Sequence, residues 1–365
     1  MAAARIKHVL GMISSGDEIL FERRGAAGVV TLNRPKALNA VTHGMVRALR
    51  AELDLWADDP AITRVVVMAA GERAFSAGGD IRALYDLGKA GRIDDALQFW
   101  RDEYPLNLAI KNFRKPYVAL IDGIVMGGGV GVSVHGSHRI AGDRFSFAMP
   151  EVGIGFFPDV GATWFLPRMP GELGAYCALT GDRFGVADAV SCGVATHRIS
   201  SAQFDAVLDG LMGTVSVDAV LAAFAKPAEK GPIAQRKGVI DRIFAADRVE
   251  DIFGALDREG RSSSADAEWA QKTVATMRTK SPLSLKIALA QVRRGKRWDF
   301  ETCMRTEFRI VSRIVEGHDF YEGVRAVIVD KDNEPRWQPA ELAEVGDADV
   351  ERHFAPLGKA ELVLP

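Results

Sequence analysis

The chain opens with an alternation of short β-branched runs and stretches of helical spacing. Gly28-Val29-Val30-Thr31-Leu32 reads as a strand, closed by the turn residues Asn33-Arg34-Pro35. Met45, Leu49, Leu53 and Trp56 recur at helical spacing and predict a helix over Met45 to Trp56; Val65-Val66-Val67-Met68 is then a short buried strand ending at Gly71. The alternation repeats: a helix is predicted from Asp94 to Asn112, a strand from Tyr117 to Ile121 behind Pro116, and a further helical stretch opened by Gly127-Gly128-Gly129. Strand-helix-strand repetition of this kind predicts an α/β fold, with helices packed on sheets.

Past Ser200 the strand signals thin out. Helical patterns dominate instead, over Phe204 to Met212, Val217 to Phe224, Ala265 to Thr279, Pro282 to Arg293 and Thr302 to Glu316. Pro227 to Pro232 forms the best internal loop, and Asn333 to Trp337 opens an irregular tail. The expected organisation is an α/β core over 15–210 followed by a C-terminal helical region and tail over 211–365.

Lys plus Arg (46) nearly cancels Asp plus Glu (48), so no global field favours nucleic acid or an anionic membrane; an anionic ligand needs a local site. The 3 cysteines, Cys177, Cys192 and Cys303, are widely spaced with no CxxC, which argues against a disulfide framework and a zinc site and fits a reducing compartment. No apolar run approaches the roughly 18 residues of a membrane span. Met1 to Ile13 carries Arg5 and Lys7 but no continuous apolar core with a cleavage site, which argues against secretion and leaves an organellar transit segment open.

Candidate chemistry concentrates in three places. Ala74-Phe75-Ser76-Ala77-Gly78-Gly79-Asp80 and Met126-Gly127-Gly128-Gly129-Val130-Gly131 are glycine clusters at strand ends, where backbone N–H groups can approach a ligand and receive a developing oxyanion; tight turns without a ligand are the plainer alternative. The second cluster is not GxGxxG, since Val132 and Val134 stand where the last glycine belongs, and no GxxxxGK[ST] occurs. Gly131-Val132-Ser133-Val134-His135 lacks the final glycine of a serine-hydrolase elbow, so Ser133 is expected inside a helix. The third place is Phe147 to Gly161. There Glu151 and Asp159 lie in an apolar, Gly- and Pro-rich stretch, and burial of that kind raises a carboxyl pKa toward the range of a general acid or base. Capping or salt-bridged carboxylates are the alternative. Glu103, in Phe99 to Tyr104, reads by itself as a surface helix carboxylate. None of the 7 histidines has ligand spacing such as HExxH, so no metal is implied. Trp100, Trp164 and the Phe156-Phe157 pair are expected in the core or a pocket wall.

In this order, Leu32-Asn33-Arg34-Pro35-Lys36-Ala37-Leu38-Asn39-Ala40, Phe75 to Asp80, the Gly127 triplet and Pro150-Glu151 resemble the crotonase superfamily of coenzyme-A thioester enzymes. The resemblance implies a spiral of ββα units with a mostly helical C-terminal part. It also implies an oxyanion hole from the N–H groups of Gly79 and Gly128, and coenzyme A held near Lys36, Ala37, Leu38 and Ala77, largely through backbone. Hydratases of the superfamily carry a glutamate two residues after the triplet, where this chain has Gly131; the second family glutamate matches Glu151. Hydration of a double bond needs two carboxylates around one water, so a one-carboxylate chemistry is favoured.

The resemblance extends furthest to the 3-hydroxyisobutyryl-CoA hydrolase subgroup. It includes Arg101-Asp102-Glu103-Tyr104, Gly155 to Gly161, Gly193 to His197, Ser281 to Lys286, Glu307-Phe308-Arg309 and Gly317 to Ala326. This implies hydrolysis of a short branched 3-hydroxyacyl-CoA, with Glu151 and Asp159 catalytic and with Glu103, Gly128, Glu151 and Asp159 contacting substrate. Gly161-Ala162-Thr163-Trp164 departs from that subgroup's Gly-rich, Tyr-containing run, which leaves the acyl group open. No cofactor is expected beyond the coenzyme A of the substrate, and no nucleic acid or membrane partner; a homo-oligomer is possible, as is a cytoplasmic or, in a eukaryote, mitochondrial-matrix location. The alternatives are a Δ3,Δ2-enoyl-CoA isomerase or hydratase on the same fold and a non-catalytic acyl-CoA scaffold.

Overall fold

The computed structural model describes residues 16–365, so the expectation for Met1 to Ile13 lies outside the described residues. Packing divides the described residues into two units, each discontinuous in sequence: 16–80 with 105–145 and 195–227, and 81–104 with 146–194 and 228–365.

The first unit is built on a mixed six-stranded sheet in the order Ile19–Arg24, Ala27–Leu32, Arg64–Ala69, Tyr117–Ile121, His138–Ala141, His197–Arg198. Only the first pair is antiparallel. The central strands are buried on both faces, which is why they read as continuous Val and Ile runs, whereas the edge strand Ile19–Arg24 exposes Leu20, Glu22 and Arg23. On one face Ala27, Val29, Val66, Val118, Leu120 and Ile140 form a core with Val207, Leu208, Leu211, Val217, Val220 and Leu221 of the helices Phe204–Met212 and Val217–Phe224. Alternate residues of the strand Ala27–Leu32 point the other way. There a Cβ on Gly28 would meet the Trp56 ring at 2.5 Å, so the His43–Asp58 helix packs where only glycine fits.

The second unit is mostly helical, with one short antiparallel pair, Ser146–Ala148 and Phe184–Gly185. The helix expected over 265–279 runs Ala267–Arg278, that over 282–293 runs Pro282–Gly295, and that over 302–316 runs Phe300–Ile314. Ser281 caps the second through Ser284 N with Pro282 in the first turn, and Asp299 caps the third through Thr302 N. Lys237–Phe244, Val249–Gly260 and the wholly buried Leu173–Thr180 add to the helices that the pattern predicts, and Asp347–Phe354 breaks the irregular tail. Among the described residues no helix is long and apolar enough to cross a membrane.

The helical stretch expected after Gly127 is shorter than the sequence predicts. Only Gly128–Gly131 is helical, and Ser133 lies in the following turn, not in a helix interior. Each glycine costs about 1 kcal/mol against alanine in a helix, and three occur in these four residues, so the helix does not propagate. Ser133 Oγ instead donates to the Gly129 carbonyl at 2.7 Å, competing with the backbone ladder.

Candidate active site

In the first unit both glycine clusters leave neighbouring parallel strands, Ala74–Ser76 and Ile124–Met126, at their carboxyl ends. Ligand sites of α/β sheets form at such ends. The clusters approach each other closely: a Cβ on Gly78 would lie 3.8 Å from the Met126 carbonyl oxygen, and one on Gly129 would lie 2.6 Å from Ser76 Cβ. Gly127 has φ +43 and ψ −124, a backbone that a side chain would strain, and it is this bend that starts the Gly128–Gly131 turn.

The Lys36–Leu38 segment is fastened to the first cluster. Ala77 N donates to the Leu38 carbonyl at 2.9 Å, Val41 N to that of Gly78 at 2.8 Å and Asp80 N to that of Val41 at 2.9 Å. Leu38 and Asn39 both lie in the left-handed region, at φ 51 and 54. The turn is held by the buried Asn39 side chain. Its Nδ2 donates to the carbonyls of Ala70 and Ala74 at 2.9 Å each, and its Oδ1 accepts from Arg34 N at 2.8 Å. The structure thus brings Lys36, Ala37, Leu38 and Ala77 together with Gly79 and, through Gly78, with the second cluster.

In the second unit Glu103, Glu151, Asp159 and Glu307 are all buried, at 2, 7, 4 and 0% exposure. Glu151 starts the 3-10 turn Glu151–Ile154, which ends on Gly155 at φ +68. Glu103, which looks like a surface residue in its local sequence, is carried inward by the Ile93–Lys111 helix beside Trp100 and Tyr104. Trp100 stacks on Phe156 at 5.8 Å, consistent with its expected place in a wall or core. The neighbouring Tyr104 donates its hydroxyl to Asp159 Oδ2 at 3.0 Å.

These acids perturb one another. Burial pushes Asp159 up to about 7, against the opposing pull of hydrogen bonds from Tyr104 and Trp100. Glu307 is pushed up to about 8, by burial first and then by charge on Asp159. Glu103 and Glu151 lie well above the ordinary carboxylate range through burial and then charge on Asp159, to which Glu307 adds for Glu103. Glu151 Oε2 and Glu103 Oε1 have no hydrogen-bond partner in the protein. Buried carboxyls whose proton affinity is raised in this way, two of them with unpaired oxygens, can accept or deliver a proton at a bound ligand.

Of the acids singled out by sequence, Glu103, Glu151 and Asp159 therefore meet electrostatically. Four participants escape a purely local reading: Trp100 as a donor, Tyr104, Glu307 and Gln291. Gln291 Nε2 donates to the Pro158 carbonyl at 2.6 Å. Tyr104 and Glu307 sit inside motifs that carry the family resemblance, which is the one signal that could have marked them; nothing local marks Gln291.

A family model described as enoyl-CoA hydratase/isomerase matches residues 27–354. The chain is 43% identical over 376 residues to the mitochondrial 3-hydroxyisobutyryl-CoA hydrolase of Danio rerio, an alignment covering 100% of this chain and 97% of that protein. It is 41% identical over 358 residues to the Homo sapiens protein of the same name, covering 95% of this chain and 91% of that one. A solved structure described as a carnitinyl-CoA dehydratase from Mycobacterium thermoresistibile superposes with a TM-score of 0.89 at 42% identity, covering 95% of this chain and 99% of that one.

Proposed function

Since the chain belongs to the enoyl-CoA hydratase/isomerase family and has its crotonase α/β fold, we propose that it hydrolyses a short branched 3-hydroxyacyl-CoA thioester, with 3-hydroxyisobutyryl-CoA as the first candidate. The observation that carries this reading is the buried acid cluster around Asp159, in which Glu151 and Glu103 each keep an unpaired oxygen. A hydroxyl on the acyl chain is the donor such a cluster lacks. Full-length similarity to the two hydrolases supports the same substrate class.

In this reading the amides of Gly79 and Gly128 hold the thioester oxygen, and removing one donor of that kind typically raises the barrier by about 2.7 to 4 kcal/mol. Lys36, Ala37, Leu38 and Ala77 receive the coenzyme A. Glu151 takes a proton from water as the water oxygen adds to the carbonyl carbon. The C–S bond then breaks, and the leaving thiolate takes the proton from Glu151. Asp159 and Glu103 hold the substrate hydroxyl, which selects 3-hydroxyacyl over plain acyl groups, because a site built for a hydroxyl is left unpaired by an analogue without one. A route in which Glu151 itself attacks to give a mixed anhydride uses the same residues.

A lyase is the second reading, favoured by the dehydratase description of the similar solved structure. Against it stands Gly131, at the position where hydratases supply their other glutamate. Free thiol release from 3-hydroxyisobutyryl-CoA separates the two. The expected result is release by the wild type, falling about 100-fold or more in Glu151→Gln. No thiol release, with conversion of crotonyl-CoA or a 3-enoyl-CoA instead, would establish the lyase or isomerase reading.

A further inference from the structure

The 158–163 loop that carries Asp159 is strained and is held from behind. Val160 has φ 52, unusual for a β-branched residue, and Gly161 follows at φ 90. Two helices of the C-terminal region grip this turn. From Pro282–Gly295, Gln291 donates to the Pro158 carbonyl at 2.6 Å. From Phe300–Ile314, Glu307 accepts the backbone N–H of Gly161 on Oε2 at 2.8 Å and that of Thr163 on Oε1 at 2.9 Å. The approach is close enough that a Cβ on Gly295 would fall 1.8 Å from the Thr163 carbonyl oxygen.

We propose that Glu307 is a positioning residue for Asp159: its carboxyl group bridges the Gly161 and Thr163 amides, fixes the left-handed Val160-Gly161 turn, and so aims Asp159 at Tyr104 and at the substrate hydroxyl. The last clause rests on the function proposed above; the bridging does not. A glutamate spans the two amides because each of its oxygens accepts one N–H. Glutamine keeps the shape but has a single acceptor oxygen, and its NH2 group would face the second N–H donor. The turn would then lose one of its two ties and relax away from the strained conformation. A misplacement of about 1 Å at a reacting group can cost about 100-fold in rate.

Two measurements on the full chain test this. Amide hydrogen exchange of the segment 157–165 needs no turnover: Glu307→Gln is expected to speed exchange there at least about 10-fold, leaving the first unit's sheet unchanged. Unchanged exchange in that segment overturns the proposal whatever the kinetics. The second is a double-mutant cycle in kcat/KM for 3-hydroxyisobutyryl-CoA. Glu307→Gln alone should lose about 100-fold, but on an Asp159→Asn background it should cost less than about 3-fold, because there is no longer a carboxylate to aim. Equal losses on both backgrounds mean general damage and overturn the positioning role. If Asp159→Asn is itself fully active while exchange in 157–165 responds to Glu307→Gln, the role assigned to Asp159 in the reaction fails and the bridge stands. Should Glu307→Gln not fold, Glu307→Asp, which keeps the carboxyl group but withdraws its oxygens by one methylene, is read by the same two measurements.

Discussion

Removing the Tyr104 hydroxyl tests whether the hydrogen bond that partly offsets the burial of Asp159 governs the pH dependence of the reaction. Tyr104 is itself buried and its phenol is pushed well above its ordinary value, so it remains a donor throughout the usable pH range. In Tyr104→Phe the ring can keep its edge-on contact with Phe308, at 6.5 Å, and only the 3.0 Å bond to Asp159 is lost. A hydrogen bond to a charged group contributes about 1.5 to 3 kcal/mol, and each pH unit corresponds to about 1.4 kcal/mol. Losing it therefore disfavours the charged carboxylate and moves the midpoint of Asp159, which lies at about 7 in the native protein, upward by about one to two pH units. If the ionised form accepts the substrate hydroxyl, kcat/KM rises with pH through that midpoint, which belongs to the free enzyme and to the coupled acids as a set. The expected outcome is a profile displaced to higher pH, with kcat/KM reduced about 5- to 50-fold at pH 7 and recovering above pH 9. A midpoint that stays in place or moves to lower pH would refute the reasoning, since neither is compatible with Tyr104 stabilising the charge.

Two further outcomes follow from the same contacts. Because the native Asp159 holds its proton up to about 7 and an unfolded aspartate only to about 4, the native state binds more protons between those values and stability falls as pH rises through that window. Asp159→Asn removes this term, so its Tm should exceed that of the wild type by a few °C at pH 8 and converge toward it near pH 4; a constant offset across that range would count against the burial argument. Asn39→Ala deletes three hydrogen bonds of the 34–40 turn, worth roughly 2 to 4 kcal/mol together. Urea unfolding should show that loss, with a raised KM for acyl-CoA and a largely retained kcat; a fall in kcat at unchanged KM would detach this turn from coenzyme-A binding.

The fold was most legible where a local signal bounded a buried run or where one apolar face marked the element. Tyr117–Ile121 matches its sequence pattern at both ends because Pro116 precedes an uninterrupted buried run. Phe204–Met212 and Val217–Phe224 match because each has an apolar stripe facing the sheet. Leu173–Thr180 was not legible, because all its residues are buried and a helix apolar all round has no stripe to detect. The site divides in the same way. Glu151 and Asp159 announce themselves as charges in apolar company, whereas Glu103 sits among Arg101 and Asp102 and is turned inward only by helix packing. Gln291 and Glu307 reach the 158–163 loop from more than a hundred residues away along the chain, a contact that no local pattern encodes.

The pairing of each acid in the cluster separates those that frame the site from those that face a ligand. Burying a carboxyl group without a cation is costly, and the cost is tolerable only where hydrogen bonds or protons compensate it. Glu307 is compensated within the protein, since both oxygens accept backbone N–H groups. Asp159 is compensated in part, by Tyr104 and Trp100. Glu151 Oε2 and Glu103 Oε1 have no hydrogen-bond partner within the protein, and their groups are compensated chiefly by holding their protons above the ordinary range; an unsatisfied buried polar atom costs about 1 to 3 kcal/mol. A donor from outside, such as an attacking water or a substrate hydroxyl, would offset that cost only on binding, which makes these two oxygens the places where the protein gains most from a ligand carrying hydroxyl donors. A plain acyl-CoA brings no hydroxyl to the cluster. Under the proposed function, a preference for a 3-hydroxyacyl group would arise from stability withheld in the empty site as much as from contacts made in the full one.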